Sequence, residues 1–267
     1  MSLKRIPTPT QDAGNWGTIL NDHLSQTQNP LNGAFNSFDQ FSARPANLNA
    51  DDAGRTYLYT QTGNWHEWSG TEWKVQNKSE INVKDYGAIG DGVAYDTAAI
   101  QTVLSSLIKG GRVYVPMGRY KMSLPLSFQP NTTMYGDGQN NSSDIGTVFL
   151  FSGSGLVLET GFPLNVNLSD FAIIGSGVGD GMRVIKNAFC KFENLFITNF
   201  ENGVFCGGQV HNSWSDLVIT QCKYGIINVT GVAGASQNNT MCQLHNIYIN
   251  GCYEVGFLAR HFITSGF

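Results

Sequence analysis

Four stretches of this chain are versions of one another, and a chain that repeats itself at such an interval has few folds open to it. LSDFAIIG (residues 168–175), FENLFITN (192–199), WSDLVITQ (214–221) and LHNIYING (244–251) align without gaps, and their starts lie 24, 22 and 30 residues apart. Each is followed, 11 to 13 residues after its start, by a glycine that opens a second apolar strand: Gly181, Gly203, Gly225 and Gly256. Two strand signals in a period above twenty residues predict a solenoid, in which each coil leaves an apolar face bare until the next stacks on it. The longest interval holds its extra residues in 231–239, which predicts a loop leaving the coil. Residues 113–158 predict earlier, less regular coils with a loop at 136–144.

The segment 81–120 reads as the start of that solenoid. Residues 82–86 predict a short strand and residues 87–92 a glycine-rich turn. Asp96 or Thr97 is placed to cap a helix whose apolar residues Ile100, Val103, Leu104, Leu107 and Ile108 fall on one stripe. Gly110-Gly111 stops it, glycine taking the left-handed cap without a Cβ penalty. A strand follows over residues 112–116. So short an amphipathic helix is not stable alone, so its stripe must cover something.

Composition agrees with an all-β, turn-dense chain: charged residues make up 13% and glycines number 31. A net charge of −4 gives no electrostatic footprint for nucleic acid or an anionic membrane. No run approaches the roughly 20 apolar residues of a membrane-spanning helix. No apolar run follows Lys4-Arg5, so no signal peptide is expected. Five cysteines with no C-x-x-C pair argue against a disulfide framework or a zinc site, and they are expected to be packed and reduced. No metal site and no cofactor are expected.

The motifs NVKDYGAIGDG, DTAAIQ and GGRVYVPMGRY resemble the opening of pectate-lyase-like proteins with a right-handed parallel β-helix, a group that includes bacteriophage tailspikes and capsule depolymerases. The resemblance covers about forty residues in several blocks and departs from the usual D-D-T at Tyr95-Asp96-Thr97. It implies that the helix plugs the N-terminal end of the β-helix, and that the protein is a parallel homotrimer. The pattern P-T-P-x-Q-D-x-G-x-W-G in residues 7–17 resembles the N-terminus of phage tail fibre proteins, which implies particle attachment through Pro7, Pro9, Trp16, Ile19 and Leu20. Residues 41–73, with F-S-A-R-P, G-R-x-Y and W-x-G-x-x-W, resemble a tail-fibre module. By pattern alone this region is a three-stranded meander. Four parts are therefore expected: an attachment arm (1–30), a small β module (31–80), the opening strand and capping helix (81–111) and the coils (112–267).

Chemistry is harder to place. Trp65, Trp68 and Trp73 offer sugar-stacking surfaces, or else the core or a subunit contact of a module too small to have much else. The third position of the four repeats carries Asp170, Asn194, Asp216 and Asn246. With coils roughly 4.8 Å apart, Asp170 and Asp216 would stand roughly 9.6 Å apart by the backbone. That is at the upper edge of the ~6.5–9.5 Å used by inverting glycosidases. The same column is more simply a ladder of Asp and Asn satisfying a bend. A second column, Glu201, Lys223 and Glu254, offers Glu201 and Glu254 as further catalytic candidates, but it alternates in sign, as a solvated face does to avoid like-charge stacking. No lyase or hydrolase constellation of the related enzymes is found, and no active site is identified.

The leading expectation is a tail fibre or tailspike subunit of a phage or phage-like contractile particle. It would be made in the bacterial cytoplasm and act outside the cell. It would bind tail or baseplate proteins through residues 1–80 and present its β-helix to bacterial surface polysaccharide, with no nucleic-acid partner and no membrane insertion. The alternatives are an active depolymerase, lyase or glycoside hydrolase, and a structural adaptor. The last coil's strand edge is expected to be covered by more chain or by a partner.

Overall fold

The computed structural model describes residues 37–75, 80–139, 145–159, 165–229, 239–240, 242–259 and 262–263. They fall into two compact units, within residues 1–78 and 79–267. In the first unit, Thr56–Tyr59, Asn64–Trp68 and Trp73–Val75 form an antiparallel meander. A strand missed by the pattern, Ser37–Phe38, pairs parallel with Thr56–Tyr59, so the sheet has four strands. Tyr59 and His66 are its buried centre.

The second unit is a right-handed parallel β-helix of six coils, each giving one strand to a six-stranded parallel sheet. Coil one comprises Gly111–Tyr114, Gly118–Met122 and Leu126–Ser127, and coil two Thr132–Tyr135, Thr147–Phe151 and Leu156–Leu158. Coils three to six each have one long strand and one shorter one. They are Asn167–Ile174 with Asp180–Ile185, Lys191–Thr198 with Asn202–Gly207, Ser213–Thr220 with Tyr224–Asn228, and Gln243–Asn250 with Val255–Ala259. The register stacks Leu168, Phe192, Trp214 and Leu244, the first residues of the four sequence repeats. Met182, Val204, Ile226 and Phe257 stack in the same way.

Each long strand is folded over one residue. Asp170, Asn194, Asp216 and Asn246 have φ of 64°, 52°, 55° and 51°, a conformation that Asn and Asp tolerate better than other side chains. The strand before this bend makes side one of the coil, the strand after it side two, and the shorter strand side three. In coil two the same passage takes residues 136–146. One left-handed residue thus separates sides one and two in the later coils, where coil two has a longer passage.

The interior is a continuous apolar column, from Val113 and Tyr120 through Phe149, Phe171 and Phe192 to Trp214 and Ile226. Outward residues differ by side. Side one shows Arg112, Thr133, Asn167, Lys191, Ser213 and Gln243 in one column. Its second column is Tyr114, Tyr135, Ser169, Glu193, Ser215 and His245. Side two shows Arg119, Val148, Ala172, Phe196, Val218 and Tyr248, and side three Val157, Arg183, Phe205, Ile227 and Leu258. Val148 and Ala172 are fully buried, and the second outward column of side two is Lys121, Leu150, Ile174, Thr198, Thr220 and Asn250.

The opening segment departs from expectation in three places. Only Ile81–Asn82 is strand; Val83–Tyr86 is a 3-10 turn, because the Asn82 side chain accepts the Lys84 N–H and curls the chain. The helix is Thr97–Ser106, and Asp96 does not cap it with its side chain. Its carboxylate turns back to accept the N–H of Ile89 (2.6 Å) and Gly90 (3.2 Å), holding the glycine turn. Burial still pushes the Asp96 carboxyl above its ordinary value, against those bonds. Ile100, Val103, Leu104 and Leu107 are buried in the core, but Ile108 lies beyond the helix end and is 81% exposed. The strand after Gly110 runs Gly111–Tyr114 and stops short of Pro116.

Candidate functional site

The Asp/Asn column is a ladder. Asn194 Nδ2 donates to Asp170 Oδ1 (2.8 Å), and Asn246 Nδ2 donates to Asp216 Oδ1 (2.6 Å). Asn194 occupies the coil between the two carboxylates, and each carboxylate has an oxygen held by the amide one coil above it. The second column is also bound to itself. Lys223 Nζ lies 3.7 Å from both Glu201 Oε1 and Glu254 Oε1, and Tyr224 OH donates to Glu254.

The three tryptophans do not share a face. Trp68 and Trp73 are cross-strand partners in an edge-to-face pair (5.6 Å, 62°), and Trp68 Nε1 donates to Asn49 O. The Arg44 guanidinium lies 5.3 Å from the Trp73 ring. Trp65 sits three residues from Trp68 along an alternating strand and so points to the opposite face. Pro7, Pro9, Trp16, Ile19 and Leu20 lie outside the described residues.

Side one of the first coils holds a cluster the sequence reading missed. Tyr114 and Tyr135 stack at 5.3 Å and 28°, half-buried against the helix wall. Tyr114 OH donates to Asp137 Oδ1 (2.8 Å), whose other oxygen accepts the Met117 N–H (2.6 Å). Tyr135 OH donates to Glu80, and the Arg112 guanidinium lies 5.3 Å from the Tyr135 ring and 3.8 Å from Glu80 Oε2. Burial, then the Asp137 carboxylate, pushes Tyr114 up to about 12; burial, then Glu80, raises Tyr135. Both hydroxyls are therefore protonated donors at neutral pH. The result is a fixed aromatic step fringed by two carboxylates and an arginine. Its signal was present: Arg112-Val-Tyr114 matches Thr133-Met-Tyr135 across one coil, but at an interval the later repeats do not share.

The interior offers less chemistry. Cys190 and Cys222 are pushed up to about 11 and Cys206 to about 12, in each case by burial first. Such thiols are packing groups and poor nucleophiles. Among the described residues no group of three or more His, Cys, Asp or Glu is placed to hold a metal ion, and no helix is long and apolar enough to cross a membrane.

Residues 80–160 match the family model of rhamnogalacturonase A/epimerase, pectate lyase-like proteins. Over those residues the chain is similar to that family. Among curated proteins the chain is 30% identical over 128 residues to the pre-neck appendage protein of Bacillus phage B103, an alignment covering 46% of this chain and 14% of that protein. It is 52% identical over 46 residues to the mannuronan C5-epimerase AlgE5 of Azotobacter vinelandii, covering 16% of this chain and 5% of the epimerase. The chain thus spans a small part of the length of both relatives. Among solved structures, the surface adhesin PfbA of Streptococcus pneumoniae superposes with a TM-score of 0.53 at 15% identity, over 68% of this chain and 52% of that one. That likeness is one of fold. The pectate-lyase-like segment contains the helix, coils one and two and the tyrosine step, but neither member of the Asp170–Asp216 pair.

Proposed function

We propose that the chain is part of a phage tail fibre or tailspike whose β-helix recognises surface polysaccharide along side one. The tyrosine step is the observation that carries this reading. A pyranose ring offers an apolar face bordered by hydroxyls. Tyr114 and Tyr135 offer aromatic area, and Asp137, Glu80 and Arg112 offer acceptors and donors at its rim. Side one is polar from the first coil to the last, which suits a long, hydrated ligand. The identity to a phage appendage protein over nearly half the chain supports placement on a phage particle. In this reading residues 1–80 attach the fibre to its tail or baseplate.

The test is binding of the full chain to an array of bacterial capsular and lipopolysaccharide glycans. Tyr114→Ala and Tyr135→Ala are each expected to weaken binding about tenfold, equivalent to ~1.4 kcal/mol, with circular dichroism unchanged. Failure of the unaltered chain to bind any glycan would overturn the reading, as would binding by both variants as tight as that of the unaltered chain. Release of reducing ends from a bound glycan would convert the recognition element into a depolymerase.

A further inference from the structure

We infer that Phe189 and His211 form a second sugar-stacking subsite at the edge of side one. This subsite rests on the glycan-binding reading of that side and extends it to coils four and five. Where side three passes into side one, a left-handed residue precedes the strand in coils two to five. These residues are Asn131, Asn165, Phe189 and His211, with φ of 61°, 47°, 58° and 54°. The register stacks them, each two residues before Thr133, Asn167, Lys191 and Ser213. In coils two and three the residue is asparagine, which suits this backbone, and Asn165 Nδ2 donates to Asn131 Oδ1 (3.1 Å). In coils four and five it is an aromatic ring. A bulky side chain in this conformation is an outlier, and such outliers gather where a ligand is held.

The corner is built to hold the two rings in place. Asn187, Gln209 and Asn212 are buried in it, and Asn212 Nδ2 donates to Asn187 Oδ1 (2.6 Å) and Gln209 Oε1 (2.8 Å). Asn212 Oδ1 accepts the Cys190 N–H (3.0 Å), and Trp214 Nε1 donates to Gln209 Oε1 (3.2 Å). Ala188 and Val210 pair between the coils, and the Phe189 N–H donates to Val210 O (3.0 Å). A buried amide network of this kind fixes the backbone, so the rings are ordered before any ligand arrives. They stack at 5.2 Å and 11°, with Phe189 55% exposed and His211 exposed as well. In a stack each ring keeps one face turned away from its partner. Polar neighbours border the pair: Asn165, Ser213 and Lys191, whose Nζ lies 2.5 Å from Glu193 Oε2. Two rings in a polar border suit a sugar, and fall short of the roughly 300–600 Å² of continuous apolar surface that marks a protein partner. Phe189 lies two coils beyond Tyr135, roughly 9.6 Å along the axis, and four residues back across the side, at most about 13 Å. A chain of sugars running obliquely over side one touches both steps.

The probe is the capsular or lipopolysaccharide glycan that the unaltered full chain binds most tightly on the array. Phe189→Asn combined with His211→Asn restores the residue type that coils two and three carry at this corner, so the fold is not put at risk. The melting temperature is expected to stay level or rise by up to about 4 °C. Binding is expected to fall about tenfold, and about a hundredfold when Tyr114→Ala is added, because steps this far apart act additively. Phe189→Tyr keeps the ring and should weaken binding far less than Phe189→Asn. If the asparagine pair binds like the unaltered chain while Tyr114→Ala does not, this subsite is overturned and the tyrosine step stands. If the unaltered chain binds no glycan, both fall. A melting temperature lowered by several degrees would make the rings a structural contact. A change of mass in sedimentation equilibrium would place them between copies of the chain. Either result overturns the subsite.

Discussion

The glycine column Gly181, Gly203, Gly225 and Gly256 gives a sharp test of the coil geometry. These glycines do not serve left-handed turns; none has positive φ. For Gly181, Gly203 and Gly225 the reason is space, whereas a Cβ at Gly256 would meet only Ile249 Cγ2 at 3.6 Å. A Cβ at Gly203 would lie 2.5 Å from Ile219 Cγ2 and 2.6 Å from the Gly225 carbonyl oxygen of the next coil. One of these obstacles is backbone, which cannot swing aside without parting the coils. Gly203→Ala is therefore expected to cost about 3 kcal/mol, the upper end for an overpacked core, even though alanine stiffens the unfolded chain. For a unit of this size that lowers the melting temperature by roughly 6–12 °C. Gly153 is the internal control: a Cβ there meets nothing within 4 Å and its φ is not positive. Gly153→Ala is expected to leave the melt unchanged or raise it by the few tenths to 1 kcal/mol, roughly, that lost chain entropy gives. Thermal melts by circular dichroism on both variants decide the matter. If Gly203→Ala melts within a degree of Gly153→Ala, the coils do not approach as described.

Other residues make separate predictions. Asn194→Ala loses the bond to Asp170 and puts alanine at positive φ, for a cost of about 2–3 kcal/mol, whereas Asn194→Gly keeps the conformation and should cost about 1, measured by urea denaturation. In the helix, Leu104→Ala is expected to cost about 2–5 kcal/mol and Ile108→Lys less than about 0.5, although both lie on the stripe drawn from sequence. Tyr114 has its folded-state pKa raised, so the stability it contributes is whole below about 10 and is lost as pH rises through about 12. Tyr114→Phe should flatten that alkaline loss, and ultraviolet titration of the unaltered chain should show a tyrosine ionising late.

The coils were legible because a β-helix writes its register directly into sequence. Leu168, Phe192, Trp214 and Leu244 begin the repeats and lie one above another. Even the bend was legible, since a left-handed position inside a strand selects Asp and Asn. What failed were ends and corners, where tertiary bonds override local pattern. Asp96 has the type and place of a helix cap, but two N–H groups of the glycine turn compete for it and win. Ile108 continues the helical period for one step after the helix has stopped. No periodicity reports either event.

The candidate site was harder to read for a different reason. Residues facing solvent on a solenoid are selected column by column, and a column becomes visible only when its coils have been put in register. Tyr114 and Tyr135 belong to coils that close through different turns from the later ones, so the repeat that exposes Asp170 and Asp216 passes over them. The repeat thus exposes a column whose carboxylates are held by neighbouring amides and leaves unmarked the one whose aromatic rings are stacked and half-buried.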